Sequence, residues 1–554
     1  MTDPTVDPSV DHLRQQLRDL GYLTHGIERW FALDPWSSRT FWSELIAVSS
    51  KASLLSSIFA ALPLLAITIL RNRPLALGDA LVIGGVQAAG AFISLLLLIV
   101  AVALGLRRNP ALAIDSPALL TGLTLLLSGG LSLALVVWWS GFDGAPSGVE
   151  LLAGGALIVV FFLASSVIVS AALLSFSIHE AKRIPRVHRR DRTIPMTLVA
   201  ILIAVAIGAW SFNAAPAKTA TPPVSIAIAA TDAKVALIAV DGLTHDILAS
   251  RKDEAATFGT VTAATPLAES RSAAERWATV GTGTAPSLHG VHAIEGVRLA
   301  ASGRVLQSVS RYAFAIDAIA APLGIASRVP LPPTARRRAY AWEILAGRGV
   351  PSLAVNWWVT GDADTAGLRS ISQEALFSRM AEQLPKASPS ELAIAIDREA
   401  MRRLDDAIAK RSPRFVTVFL PALDIVLNRI DLDAGAKLAA SSTIVDGITA
   451  AAASLHARGY DVILVGLPGE GQSGDAVVAT TLPQAGAKPA IDGIAPTVLN
   501  LCGFPVASDM RGKPFAGSIE PRSIATYGER GSAPGEAQTS EEYYQSLRSL
   551  GYIR

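Results

Sequence analysis

Apolar positions in this chain come in two textures, long runs first and short ones afterwards. The runs near 52–70, 80–105, 117–139, 149–176 and 194–213 are each long enough to cross the hydrocarbon core of a bilayer as a helix, which predicts about five membrane spans within 51–213. From Lys234 onward the runs shorten to KVALIAV at 234–240, SLAVNWW at 352–358, FVTVFLPALD at 415–424 and YDVILVG at 460–466. Continuous apolar stretches of that length read as strands buried on both faces. Helical patterns separate them at 340–349, 397–411 and 437–458. The alternation predicts an α/β domain over 234–554, a mostly parallel sheet with helices on both faces, preceded by an all-helical transmembrane bundle.

The flanking segments follow from the same pattern. Residues 1–50 carry Val10, Leu13, Leu17 and Leu20 at helical spacing, then a cluster of Trp30, Phe31, Trp36, Phe41 and Trp42, and read as a cytosolic helical or interfacial segment. They hold no leading apolar core, so no cleavable signal peptide is expected. Residues 214–233 are rich in Ala, Thr and Pro and read as a linker. Between the fourth and fifth runs, HEAKRIPRVHRRDRT at 179–193 carries six Lys or Arg against two acids. By the positive-inside rule that loop is cytoplasmic, which places the N-terminus inside and everything after 214 outside. Arg107 and Arg108 agree with this orientation, while Arg71 and Arg73 count against it. The expectation is a multi-pass protein of a bacterial inner membrane with an extracytoplasmic C-terminal domain.

Composition narrows the function classes. Of the 554 residues, 51% are hydrophobic and 17% charged, too apolar for an ordinary soluble chain. A net charge of +2 gives no argument for nucleic acid binding. The single Cys502 excludes an intrachain disulfide and any multi-cysteine zinc site. The apolar runs contain almost no ionisable residue near their centres, which favours an anchor over a channel or transporter.

Candidate chemistry gathers where open α/β sheets place ligands, beyond the carboxyl ends of strands. Asp241-Gly242, Asp424 and the turn at 466–471 all fall there. Carboxylates from separate strands suit a divalent metal as hard oxygen ligands, and each equally suits a cap on a following helix or turn. The turn GLPGEGQSGD has neither the GxxxxGK[ST] spacing nor a lysine for phosphates. A second Gly/Thr-rich turn, ATVGTGTAPSLHG at 278–290, contains His289, either a ligand or a satisfied hydrogen-bonding residue.

Five segments in order resemble the alkaline phosphatase-like superfamily, particularly its bacterial branch related to type I phosphodiesterases and nucleotide pyrophosphatases. They are VALIAVDG, ERWATVGTGTAPSLHGV, WEILAGRGVPSLAVNWW, FVTVFLPALDIVLN and IAPTVLNLCGFPVASDMRGKP, spanning about 234–520. The resemblance implies Asp241 as a ligand of one metal ion and Asp424 as a ligand of another, with two zinc or related ions activating a Thr or Ser nucleophile. Other positions depart from the pattern. Asn428 stands where a His is expected four residues after Asp424, and Leu467-Pro468-Gly469 stands for Asp-His-Gly. No His occurs from 470 to 554, leaving His245, His289 and His292 as neighbours. The nucleophile spacing, nine residues before Thr282, lands on Ala273, with Ser272 adjoining and Ser270 close. Ser272 is therefore the candidate nucleophile, and His289 and Asn428 are the candidate ligand-binding residues.

With these departures the resemblance implies a membrane-anchored, catalytically degenerate member that binds an envelope protein or a phosphate-containing ligand. It implies no cofactor, or one divalent cation held weakly by Asp241 and Asp424. The alternative is an active metal-dependent phosphodiesterase, phosphatase or envelope phospho-transferase with a rearranged site, and only that reading calls for two zinc ions.

Overall fold

The computed structural model describes residues 16, 41–72, 75, 77–107, 117–142, 148–180, 226–264, 272–310, 312, 316–482, 489–517, 520–530 and 540–553. The chain divides into two units, one of Met1–Pro216 with Leu299–Ser327, the other of Ala217–Arg298 with Arg328–Arg554.

The first unit contains four long helices, α1 (Phe41–Arg71), α2 (Leu77–Arg107), α3 (Pro117–Ser140) and α4 (Gly148–Glu180). Each is long and apolar enough to cross a membrane, and each covers one of the first four apolar runs. The run at 194–213, the basic segment from 181 and nearly all of 1–50 lie outside the described residues. Val48, Leu55, Phe59, Ile99, Phe161 and Ala172 form the buried seam of the bundle, while Leu97, Leu126, Leu152 and Leu163 point outward. In water such an outer face would be unfavourable; in lipid it is the ordinary surface. Small residues set the helix spacing, since a Cβ at Gly154 would meet the Trp139 ring at 3.0 Å.

Arg71, which counts against the expected orientation, is not a free charge. Its Nε lies 2.5 Å from Glu150 Oε1 and its guanidinium sits 5.7 Å from the Phe142 ring centroid. Residues 299–327 belong to this unit although the sequence pattern groups them with the later strands. The Asn72 side chain donates to Ser308 O at 2.6 Å and accepts from Ser308 N–H at 2.9 Å, and Ser310 Oγ donates to Trp138 O at 2.6 Å.

The second unit is built on an eight-stranded sheet. Its strands are β1 (Val235–Asp241), β2 (Thr260–Ala264), β3 (Ser352–Val355), β4 (Ala363–Asp364), β5 (Leu368–Ile371), β6 (Phe415–Leu420), β7 (Asp461–Leu467) and β8 (Ala476–Thr480). The spatial order is β2-β8-β7-β1-β6-β3-β5-β4. The central strands β7, β1, β6, β3 and β5 are parallel, with Val235 beside both Asp461 and Phe415. β1 and β6 are buried at every position, as their unbroken apolar runs require.

The helices named below are α5 (Ala273–Thr282), α6 (Gln373–Gln383), α7 (Pro389–Arg411), α8 (Ala434–Ala457), α9 (Ile494–Leu501) and α10 (Glu541–Ser549). α7 starts eight residues before the pattern at 397–411 because Ser388 and Glu391 close a capping box ahead of Pro389. α8 also satisfies the length and apolarity of a membrane span. It is instead the crossover between β6 and β7, and turns Ile444, Val445, Ile448, Ala452 and Leu455 inward. Its alanines raise hydropathy without making it a lipid-facing helix. β6 stops at Leu420 rather than at Asp424, because Pro421 has no N–H to continue the ladder.

Candidate functional site

Parallel register brings the site together. β1 delivers Asp241 at its carboxyl end, directly opposite Leu467 of β7. The chain then turns at Gly242, with φ of +85°, and a Cβ there would lie 2.6 Å from the Asp424 Cα. Only glycine allows that approach. After β6 the chain makes one short turn, Ala422–Asp424, and widens into a π-helix, Ile425–Arg429.

The wide turn aims two consecutive side chains back at one carboxylate. Asn428 Nδ2 donates to Asp424 Oδ1 at 2.9 Å, and Arg429 Nε donates to Oδ2 at 2.5 Å. The backbone N–H of Glu470 adds a third bond, to Oδ1 at 3.1 Å. Asp424 is fully buried and the Arg429 side chain is 3% exposed. Arg429 also donates to Glu470 Oε2 at 2.7 Å and lies 4.0 Å from the Tyr552 ring centroid. The turn at 467–472 packs directly onto this group. A Cβ at Gly469 would fall 1.8 Å from Asp424 Oδ1, and Gln472 Oε1 accepts from both Gly469 N–H and Asn428 Nδ2.

Asp241 has a different environment. It is fully buried, and among the described residues neither oxygen has a hydrogen-bond partner and the nearest cation is Arg276 at 3.5 Å. Burial pushes its pKa up first and the Asp424 charge adds to this; Arg276, Arg429 and the nearby Trp277 indole pull it back only in part, leaving Asp241 at about 7. The Trp277 N–H closes no hydrogen bond of good geometry, so its effect is that of a nearby dipole.

Arg276 comes from the first turn of α5, whose N-cap is Ser272. Ser272 Oγ accepts from Glu275 N–H at 3.1 Å and donates to His292 O at 3.2 Å. These bonds make it a capping residue in this conformation. Ser270 lies outside the described residues. His289 is buried in the Gly/Thr turn with both ring nitrogens engaged. Val291 N–H donates to Nδ1 at 3.1 Å, and Nε2 lies 3.1 Å from Thr279 Oγ1, whose proton goes to Glu275 O. That chain assigns the proton to Nε2, and burial first, then His292 and Arg336, hold His289 well below its ordinary 6.5. His245 lies 3.3 Å from Asp246 with its side chain 30% exposed.

The structure therefore brings Asp241, Asp424 and Asn428 together and engages Ser272 and His289 in bonds of their own. Arg276, Arg429, Trp277 and Tyr552 were not expected at the site. Arg429 had one local signal, its place directly after Asn428. Tyr552 had none, because it lies beyond the segments that carry the resemblance. It is 7% exposed, packs edge-on against Trp358 at 5.1 Å and caps the Arg429 guanidinium. The preceding α10 is fixed by Tyr543, whose hydroxyl donates to Gln373 Oε1 of α6 at 2.6 Å.

As a holder for two zinc ions this donor set does not fit. Such a site needs several side-chain lone pairs left open toward the metal. Asp424 has its oxygens committed to Asn428, Arg429 and Glu470 N–H, and Asp241 faces a guanidinium. Leucine and proline at 467 and 468 offer no ligand. Among the described residues no group of three or more His, Cys, Asp or Glu is placed to hold an ion.

No family model and no curated protein matches this chain. Solved structures similar to it include an inactive variant of murine ectonucleotide pyrophosphatase/phosphodiesterase 5 in complex with AMP, at 13% identity over 42% of this chain and 56% of that one, TM-score 0.28. Phosphonoacetate hydrolase from Sinorhizobium meliloti 1021 matches at 10% identity over 44% of this chain and 60% of that one, TM-score 0.28. The integral membrane lipooligosaccharide phosphoethanolamine transferase A from Neisseria meningitidis matches at 10% identity over 84% of this chain and 97% of that one, TM-score 0.25. These neighbours are alkaline phosphatase-like. The chain spans little more than half the length of the first two. With TM-scores this low, the functional reading rests on the residues of this chain.

Proposed function

We propose that this is a membrane-anchored, catalytically degenerate alkaline phosphatase-like protein whose α/β unit binds an envelope protein or a phosphate-containing ligand. The observation that carries this reading is the buried Asp424–Arg429 pair, with Asn428 and Glu470 N–H on the same carboxylate. A fixed guanidinium neutralises the carboxylate that a metal ion would otherwise occupy. Arg276 faces the second carboxylate at 3.5 Å, near enough to offset its charge but without a hydrogen bond. In this reading the guanidiniums stand where metal charge would act and Ala273 stands at the nucleophile position, so charge stabilisation for phosphoryl transfer is expected to be weak. In this reading the helices lie in a bacterial inner membrane with the N-terminus cytoplasmic and the α/β unit periplasmic.

The alternative, an active metal-dependent phosphodiesterase, phosphatase or phospho-transferase with one divalent cation, is favoured by one observation. Among the described residues both Asp241 oxygens lack a hydrogen-bond partner, which leaves their lone pairs open to a metal ion. Metal analysis of the purified full-length protein, with turnover of an aryl phosphodiester and an aryl phosphomonoester, separates the two. The degenerate reading expects substoichiometric zinc and no turnover above that of Asp241→Ala. Stoichiometric metal with turnover abolished by Asp241→Ala overturns it.

A further inference from the structure

Residues 299–327 are flanked in sequence by the α/β unit but belong to the helical one. They meet it at one end, where α1 and α3 finish and α2 and α4 begin. The Asn72 side chain satisfies both backbone groups of Ser308, Ser310 Oγ donates to Trp138 O, and Arg304 Nε lies 3.7 Å from Asp79 Oδ2. Further along, one wide turn, Ile316–Ala320, packs against α2.

The tip formed by this turn and the residues after it is apolar and uncovered. In IDAIAAPLG, 316–324, Asp317 is the single charged residue. Ala318, Ala321 and Pro322 are exposed, and Leu323 is 68% exposed. An apolar edge of this kind marks a contact surface. Its backbone needs nothing from water. The N–H groups of Ala321, Leu323, Gly324 and Ile325 donate to Ile316 O at 2.8 Å, Ile319 O at 3.3 Å, Ala321 O at 3.0 Å and Ala320 O at 2.9 Å, and Pro322 has no N–H. Irregular backbone lies at membrane depth only where its polar groups are satisfied in this way. Leu81 and Val137, near the same helix ends, also point outward, so the lipid-facing surface of the bundle extends to this end.

We propose that residues 316–324 rest in the lipid interface at this end of the bundle, with Ala321, Pro322 and Leu323 in the acyl boundary. The bilayer is the occupant because the segment packs on a membrane helix near its end and offers a protein strand no free N–H from 321 to 325. The interface, not the hydrocarbon centre, is the depth that one Asp allows, and the half-exposed Tyr312 suits the aromatic belt found there. The chain thereby gains a membrane contact outside its spans. This contact rests on the bilayer placement of the helices and is independent of whether the α/β unit is degenerate.

The test places a nitroxide label on the full-length protein in nanodiscs, in Leu323→Cys and in two references, Leu126→Cys on the outer face of α3 and Gln383→Cys at the exposed end of α6. The native Cys502 is buried and stays in place. Power saturation then compares collision with oxygen, which enters lipid, and with a nickel chelate, which stays in water. The expected oxygen-to-nickel ratio at 323 is several-fold above that at 383 and approaches that at 126. A ratio at 323 equal to that at 383 overturns the proposal, and so does low collision with both reagents, which would mean that protein covers the tip. A water-like ratio at 126 would instead contradict the bilayer placement of the helices on which the proposal rests. A second measurement needs no substitution: an acyl-diazirine phospholipid should label the tryptic peptide 312–328 of the unaltered protein as it labels the spans. Labelled spans with that peptide unlabelled overturn the proposal.

Discussion

At the scale of residues, the site is governed by how two buried carboxylates are neutralised. Asp424 has a guanidinium, an amide and a backbone N–H, while among the described residues Asp241 has only a guanidinium at 3.5 Å and no hydrogen bond. Breaking a buried ion pair by removing one partner is far worse than never having built it, because the remaining charge is left uncompensated. Arg429→Met should therefore destabilise the α/β unit by about 3–5 kcal/mol. Asp424→Asn combined with Arg429→Met should recover a large part of that loss, since no lone charge remains. Denaturant unfolding of the single and double variants checks this; a double variant no better than Arg429→Met alone would mean that packing of the arginine stem, not its charge, is what matters. Neither arginine was legible in the sequence. Arginines are mostly exposed, and apart from the place of Arg429 directly after Asn428 nothing in their spacing marks them as buried counter-ions. Asp241 was legible because it closes an apolar run that the sheet buries, and Asp424 because it closes the pattern at 415–424, of which the sheet takes only Phe415–Leu420.

At the scale of elements, the legible parts were those whose packing is dictated on both faces. The apolar runs at 234–240 and 460–466 became β1 and β7 almost residue for residue, because a central parallel strand leaves no polar position. The π-helix after β6 was not legible, since its extra residue per turn depends on what Asp424 needs from Asn428 and Arg429. α7 supplies another such contact. Its Asp397 accepts from Ala422 N–H, in the turn between β6 and the π-helix, at 3.3 and 3.4 Å. Burial raises the Asp397 pKa well above its ordinary 3.8, and that one backbone bond offsets it only partly. The folded state thus holds this proton more tightly than the unfolded state does. Between the two pKa values the unfolded chain carries fewer protons, so stability falls as pH rises from the ordinary carboxylate range through the raised value. Asp397→Asn keeps an acceptor for Ala422 and cannot ionise. Its stability advantage over the unaltered protein should be smallest near pH 4, about the ordinary carboxylate pKa, and should grow on raising pH. Thermal midpoints across that range check the sign; an advantage that shrinks with rising pH contradicts it.

At the scale of the whole molecule, the α/β site is assembled from segments far apart in the chain and closed by the last described residues. β1 contributes Asp241, the π-helix contributes Arg429, and the end of the chain contributes Tyr552, whose ring covers that arginine and packs on Trp358. The segments that suggested a hydrolase stop near 520, so the closing element lay outside what the resemblance could indicate. Tyr552 itself separates two kinds of contribution. Its ring packs on an aromatic and a cation, but its hydroxyl has no partner among the described residues, and burial, with Arg429 opposing, then Asp241, Asp424 and Asp397 adding, holds its pKa well above the ordinary 10.0. If the ring is what closes the site, Tyr552→Phe should be neutral or stabilising, because it removes an unsatisfied polar group. Tyr552→Ala should cost about 3–5 kcal/mol, as large aromatic truncations in cores do, and should raise hydrogen exchange of the backbone at 424–429. Exchange mass spectrometry on the full-length protein reads both. Equal losses for Phe and Ala would assign the role to the hydroxyl, and unchanged exchange at 424–429 in Tyr552→Ala would show that the end of the chain does not close this site.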